Sequence, residues 1–112
     1  MHDNRNRAAQ PQSRAVEYSL QPATATLVWS HQGTCQCGTL GSARRLADGS
    51  TVIGWGTGAS PWFEQILADG TPALQISVVF GVFMYRAEPS LATDFDRTAL
   101  RAAGGGTAAT AP

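Results

Sequence analysis

Apolar and polar residues follow one another along this chain in short runs with the two-residue period of strands. The runs 14–20 (Arg-Ala-Val-Glu-Tyr-Ser-Leu) and 24–30 (Thr-Ala-Thr-Leu-Val-Trp-Ser) bracket Gln21-Pro22-Ala23. That tripeptide reads as a hairpin loop, because Pro presets a turn φ and gives up a ladder donor. Residues 33–41, rich in Gly and Thr, read as a connection. Runs 42–47 and 50–56 then meet at Asp48-Gly49, and runs 62–68 and 72–79 meet at Asp69-Gly70. Asp-Gly between two strand-like runs is a strong hairpin signal, since Gly takes a positive φ without a Cβ clash. A last apolar run, 80–86, follows directly. Consecutive short antiparallel strands make a β-meander.

The pattern changes at Glu88. Over 88–103 it predicts a short helix with Thr93 as N-cap, Phe95, Leu100 and Ala103 along its apolar face, and Gly104 as its stop. Residues 104–112 carry no large apolar side chain to offset the entropy of ordering, and predict a flexible tail. The chain thus divides into an N-terminal segment 1–13, a strand region 14–87, the helix and the tail.

Composition narrows the function classes. A chain of 112 residues has room for one small domain. Eight basic residues, all Arg, balance eight acidic ones, so no basic footprint for nucleic acid is present. No membrane span is expected: the longest uncharged stretch, 70–85, is interrupted by Thr71, Pro72, Gln75, Ser77 and Gly81, and a span needs about 20 mostly apolar residues. Residues 1–17 are polar and hold no export signal. Cys35 and Cys37 form C-x-C, a spacing that strains an intrachain bridge. With His31 as the one nearby soft ligand the tetrahedral set is incomplete, so two plain cysteines and no metal site within the chain are expected, a redox pair or a metal site shared with another chain being the alternative.

About seven strands with central aromatics (Tyr18, Trp29, Trp55, Trp62, Phe63, Phe80, Phe83 and Tyr85) predict an all-β chain: an antiparallel meander amounting to about two blades of an incomplete β-propeller. One blade takes about 40–45 residues and closure needs about four or more blades. An unclosed piece keeps exposed strand edges, which are surfaces for self-association. Trp55 and Trp62 read as packing between blades. Arg44 and Arg45, adjacent in a strand, point to opposite faces.

The run Leu40-Gly-Ser-Ala-Arg-Arg-Leu-Ala-Asp-Gly-Ser-Thr-Val-Ile-Gly-Trp-Gly56, then Phe63-Glu64, Ala68-Asp69-Gly70 and Tyr85-Arg86-Ala87, resembles the C-terminal part of bacterial arylsulfotransferase-like (aryl-sulfate sulfotransferase) β-propeller proteins. Upstream, His2-Asp3-Asn4, Ser13-Arg14-Ala15-Val16-Glu17-Tyr18 and Ala25-Thr-Leu-Val-Trp29 resemble the preceding blade. The resemblance covers about residues 2–87. It implies a six-bladed, usually exported propeller that moves a sulfuryl group from an aryl sulfate to a phenolic acceptor, with no nucleotide donor and no cofactor.

The same resemblance implies that His2 and Asn4, as a His-x-Asn element, and Arg14 bind the substrate's sulfate oxygens. Imidazole and carboxamide donate singly and guanidinium bidentately, which suits an anion whose charge develops on its oxygens. Arg86 falls where the family joins its last blade to the first. One departure stands out. Shortly after Gly54-Trp55-Gly56, where the family's sulfuryl-accepting histidine is expected, this chain reads Thr57-Gly-Ala-Ser-Pro-Trp-Phe63. His31 follows Trp29-Ser30 at a strand end, does not align with that position, and reads as an exposed loop side chain. The catalytic residue is therefore unassigned, and the expectation is a fragment inactive alone or, alternatively, a non-catalytic interaction module.

Overall fold

In the computed structural model the described residues are 1–5, 9, 12–34, 36–57, 61–78, 84–90, 94 and 96–104. They form two antiparallel sheets. The first has the order β1 (His2–Asp3), β2 (Arg14–Gln21), β3 (Thr24–Gln32); the second is a straight meander of β4 (Ser42–Arg45), β5 (Thr51–Gly54), β6 (Phe63–Ile66) and β7 (Pro72–Ile76). An antiparallel, mostly β architecture is what the alternating pattern predicted.

Both Asp-Gly turns form, and by the same chemistry. Asp48 Oδ1 accepts from the Ser50 N–H at 2.8 Å, and Asp69 Oδ1 accepts from the Thr71 N–H at 2.9 Å. Gly49 and Gly70 sit at φ +82° and +90°, each donating its N–H to the leucine three residues back. These turns are longer than a two-residue link. They take up Leu46 and Leu67, which is why the runs 42–47, 50–56 and 62–68 shrink to strands of four residues.

The first hairpin turns through Pro22 and Ala23 alone. Its register passes from Glu17↔Trp29 to Tyr18↔Leu27, so Val28 is an extra residue in β3. In the second sheet Gln65↔Leu74 is followed by Ile66↔Pro72, so Ala73 is extra in β7. Each sheet therefore carries a β-bulge on its outer strand, where bulges add twist and interrupt the ladder.

Strand β1 lies inside the segment read as an N-terminal extension. Two residues are too few to show a period, but register pairs His2↔Ala15 and Asp3↔Arg14 fix them. The Met1 ammonium donates to the Val16 carbonyl at 2.8 Å, and the Val16 N–H donates back to Met1 O at 2.8 Å.

The core fills the space between the sheets with Ala15, Cys37, Ile53, Trp55, Trp62 and Ile66, and Trp29, Ala43 and Met84 pack against it. Strand β5 is buried at all four positions. Burying Ile53 and Ile66 fully contributes about 1.5–3 kcal/mol each. Trp55 and Trp62 are packing residues, as read from their positions.

Toward the C-terminus several details differ from expectation. Strand β7 stops at Ile76. Of the run 80–86, residues 80–83 lie outside the described residues and 84–86 are not strand; Tyr85 is 75% exposed. The helix α1 spans Arg97–Ala103 rather than 88–103. Asp96 is its N-cap, accepting from the Thr98 and Ala99 N–H groups at 2.9 and 3.0 Å. A carboxylate at this position also meets the helix dipole favourably, which Thr93 cannot do. Thr93 and Phe95 lie outside the described residues, and Leu100, expected on an apolar face, is exposed. Gly104 closes the helix, donating to Leu100 O at 3.0 Å. Residues 105–112 of the tail lie outside the described residues. Among those described, no helix is long and apolar enough to cross a membrane.

Candidate anion site

Strand β1 delivers His2 to the junction of the sheets. One edge of its ring meets Trp55, with centroids 5.5 Å apart at 65°. The ring also lies against Gly41, where a Cβ would stand 2.6 Å from His2 Cε1 and 2.7 Å from Nδ1. Gly41 has φ +106° and follows Leu40 at φ +66°, so a left-handed corner of the connection makes the slot. Burial pushes the His2 pKa below its ordinary value, more than Asp3 raises it. At neutral pH the ring is uncharged and keeps one donor and one acceptor nitrogen.

His2 Nε2 and Asn4 Oδ1 are buried without a hydrogen-bond partner. Both residues line a polar cavity of about 870 Å³, with Ser42, Arg44, Arg86 and Glu88 on its other walls. Ser42 Oγ accepts from the Ala87 N–H at 2.9 Å, and Arg86 pairs with Glu88 at 2.8 Å. The Arg44 side chain makes no hydrogen bond or ion pair with any described residue and is exposed.

Arg14 is placed differently from the other two sequence-predicted residues. The register Asp3↔Arg14 sets it beside Asp3, and its Nε donates to Asp3 Oδ2 at 2.9 Å. For the Asp3 carboxyl, burial is the largest single influence and acts upward. The hydrogen bonds from Arg14 and the Arg5 N–H, with both guanidinium charges, outweigh it and hold the pKa below the usual range. His2 and Asn4 are thus brought together, and the arginines in the cavity wall with them are Arg44 and Arg86.

A second cavity, about 500 Å³, runs between the sheets and is apolar, with Val16, Tyr18, Leu20, Ala25 and Trp29 among its walls. At its border Arg45 lies 4.6 Å over the Trp29 ring and pairs with Glu17 at 2.5 Å.

His31 corrects the expectation of an exposed loop side chain. Strand β3 continues to Gln32, and alternation sets His31 on the face of Trp29, stacked at 6.3 Å and 15°, with Trp55 at 6.2 Å. Its Nε2 is 3.5 Å from Glu64 Oε2. Glu64 is only 5% exposed, and its two oxygens accept from Trp55 Nε1 and Gln75 Nε2, both at 2.6 Å. This tie between the sheets was missed in the sequence. The available signal was spacing: Glu64 lies two residues from both Trp62 and Ile66, on the inward face.

Cys37 is buried in the core, and its N–H donates to Ser13 Oγ at 2.8 Å; Cys35 lies outside the described residues. Among the described residues no three His, Cys, Asp or Glu side chains are grouped to hold a metal ion. Compared with family models, curated proteins and solved structures, the chain matches none.

Proposed function

We propose that the chain is part of an arylsulfotransferase-like β-propeller and carries a share of the anion-binding side of a sulfuryl-transfer site, without turnover by itself. On this reading β4–β7 is one blade and β1–β3 part of another, an aryl sulfate is the donor and a phenol the acceptor. The observation that carries it is the convergence of His2, Asn4 and Arg44, whose side chain has no partner among the described residues, on one polar cavity, with His2 Nε2 buried without a hydrogen-bond partner. Guanidinium and imidazole N–H donors facing one space suit an anion whose charge shifts among its oxygens. Inactivity follows from the absence of an alignable sulfuryl-accepting histidine after Gly56.

Calorimetric titration of the purified chain with inorganic sulfate tests the site. Saturable binding that Arg44→Ala or His2→Ala weakens about tenfold is expected, the size of one charge-assisted contact. No saturable binding, or binding indifferent to both substitutions, refutes it. Incubation with phenyl sulfate and a phenol should yield no transfer; sustained turnover refutes the claim of inactivity.

Association through strand edges is the second reading, favoured by exposed Leu27 and Val28 on β3 and by exposed Leu74 and Ile76 on β7. The bulges at Val28 and Ala73 limit it, since flat pairing then extends over only a few residues on each side. Light scattering separates the two: mass rising with concentration supports association, and a constant monomer mass refutes it.

A further inference from the structure

Among the described residues each sheet ends in two open edges, β1 and β3 in the first and β4 and β7 in the second. An open edge presents N–H and C=O groups to any strand that can reach it. Three of these edges are blunted. Strand β1 has only two residues, β4 carries the adjacent charges of Arg44 and Arg45, and β7 starts on Pro72, which has no N–H, and bulges at Ala73. Strand β3 is nine residues long, and from Thr24 to Leu27 it holds no Pro, no charge and no bulge. We infer that this stretch of β3 pairs antiparallel with the same stretch of a second copy of the chain, centred on Thr26. The inference rests on the association reading above and adds the strand, the partner and the register.

The hairpin is two-faced. The pairs Tyr18↔Leu27 and Leu20↔Ala25 share one side, and Ser19↔Thr26 and Gln21↔Thr24 the other. The first side is apolar, and Tyr18, Leu20 and Ala25 of it line the groove between the sheets. Yet Leu20 is 75% exposed and Leu27 44%, so an apolar face projects beyond the core.

Register follows from two constraints. A two-residue turn closes on a hydrogen-bonded pair, here Gln21↔Thr24, and bonded and non-bonded pairs then alternate. Ser19↔Thr26 is thus bonded within the hairpin, and Ala25 and Leu27 direct their N–H and C=O groups to the open edge. A two-fold axis through Thr26 sets Ala25 against the partner's Leu27, and Leu27 against the partner's Ala25, so both outward residues of each copy find a mate within the bulge-free stretch. The apolar faces then join on one side as rows of Leu20, Ala25, Leu27 and Tyr18. On the polar side Thr26 meets its counterpart, a favourable cross-strand pair, and no like charges are opposed.

Light scattering of the full chain reads association, and crosslinking reads register. Mass should rise with concentration to that of a dimer and stop there, because the pairing uses up the β3 edge. Thr26 is exposed, so Thr26→Lys keeps the fold while setting two ammonium groups opposite each other, and should weaken the dimer about tenfold or more. Leu74→Lys, on the β7 edge, should leave it unchanged. With oxidised glutathione taking up the electrons of two thiols, Thr26→Cys should form a disulfide-linked dimer, since opposed non-bonded residues stand about 4.5 Å apart at Cα, within disulfide reach. Ser19→Cys, about 14 Å from its counterpart in this register, should not. Association that survives Thr26→Lys, that fails in Leu74→Lys, that grows past a dimer, or that crosslinks through Ser19→Cys as readily as through Thr26→Cys overturns the β3 pairing and leaves edge association standing. A constant monomer mass overturns both.

Discussion

Removing the Glu64 carboxylate should destabilise the chain more than any exposed substitution, and the size follows from what it leaves behind. In Glu64→Ala the buried Trp55 Nε1 and the exposed Gln75 amide both lose acceptors at 2.6 Å, and His31 loses its cross-sheet neighbour. A buried donor left unsatisfied costs about 1–3 kcal/mol and an exposed hydrogen bond about 1 kcal/mol, so the expected loss is about 2–4 kcal/mol. Small domains hold about 5–15 kcal/mol in total. Glu64→Gln should cost only about 1 kcal/mol. Its carbonyl can accept from Trp55 while its amide donates to a flipped Gln75, so both neighbours stay bonded. Urea unfolding followed by tryptophan fluorescence reads both variants, and His31→Ala combined with Glu64→Ala isolates the cross-sheet pair through non-additivity. A loss below about 1 kcal/mol for Glu64→Ala, or equal losses for Ala and Gln, would show that the network is not what joins the sheets.

Two further outcomes concern His2. Gly41→Ala should cost about 1–3 kcal/mol through its φ of +106° and expel the His2 ring, abolishing sulfate binding, because the new Cβ falls 2.6 Å from the ring. Gly70→Ala is the control: φ is +90° but nothing lies within 4 Å, so only the backbone cost should appear in urea unfolding and sulfate binding should persist. In pH, the folded His2 pKa lies below its ordinary 6.5, so the unfolded chain takes up the proton first. Its stability contribution is present above about pH 6.5 and is lost as pH falls below that value. Asp3, also lowered, contributes above its ordinary 3.8 and loses that as pH falls through its folded value. The urea midpoint should fall from pH 7.5 to 5.5 and fall less in His2→Gln; a flat or rising profile contradicts the burial argument.

What could be read from the sequence was local in chemistry. Asp48 and Asp69 bind the N–H two residues on, and each Gly supplies the positive φ, so both hairpins are written within five residues. Strand β1 could not be read that way, because its partners Arg14 and Ala15 lie beyond a segment of no clear pattern. The Arg14 assignment failed to anticipate Asp3 for the same reason: only register puts the two opposite each other. His2 and Asn4 came from a resemblance, but the cavity they line takes its other walls from Ser42, Arg44 and Arg86 in another sheet and the segment after it. Glu64 and His31 were hidden because a charged or polar residue in alternation reads as the solvent face until its opposite sheet is known.

The distribution of charge across the strands carries the same point further. A chain of zero net charge can match every cation with an anion, and the sheets do so selectively. Arg14 on β2 takes Asp3, and Arg45 on β4 takes Glu17. Both pairs are partly exposed, so each contributes about 0–1 kcal/mol to stability, and their larger effect is on where charge remains available. They neutralise the arginines beside β1 and beside the groove and leave Arg44, between two cavities, with no ion pair among the described residues. Since alternation forces Arg44 and Arg45 to opposite faces, one arginine closes the sheets on Trp29 while its neighbour is left to the polar cavity. On the proposed reading, an anion entering there meets a guanidinium that no carboxylate among the described residues holds, in a cavity whose wall also presents the unpartnered His2 Nε2.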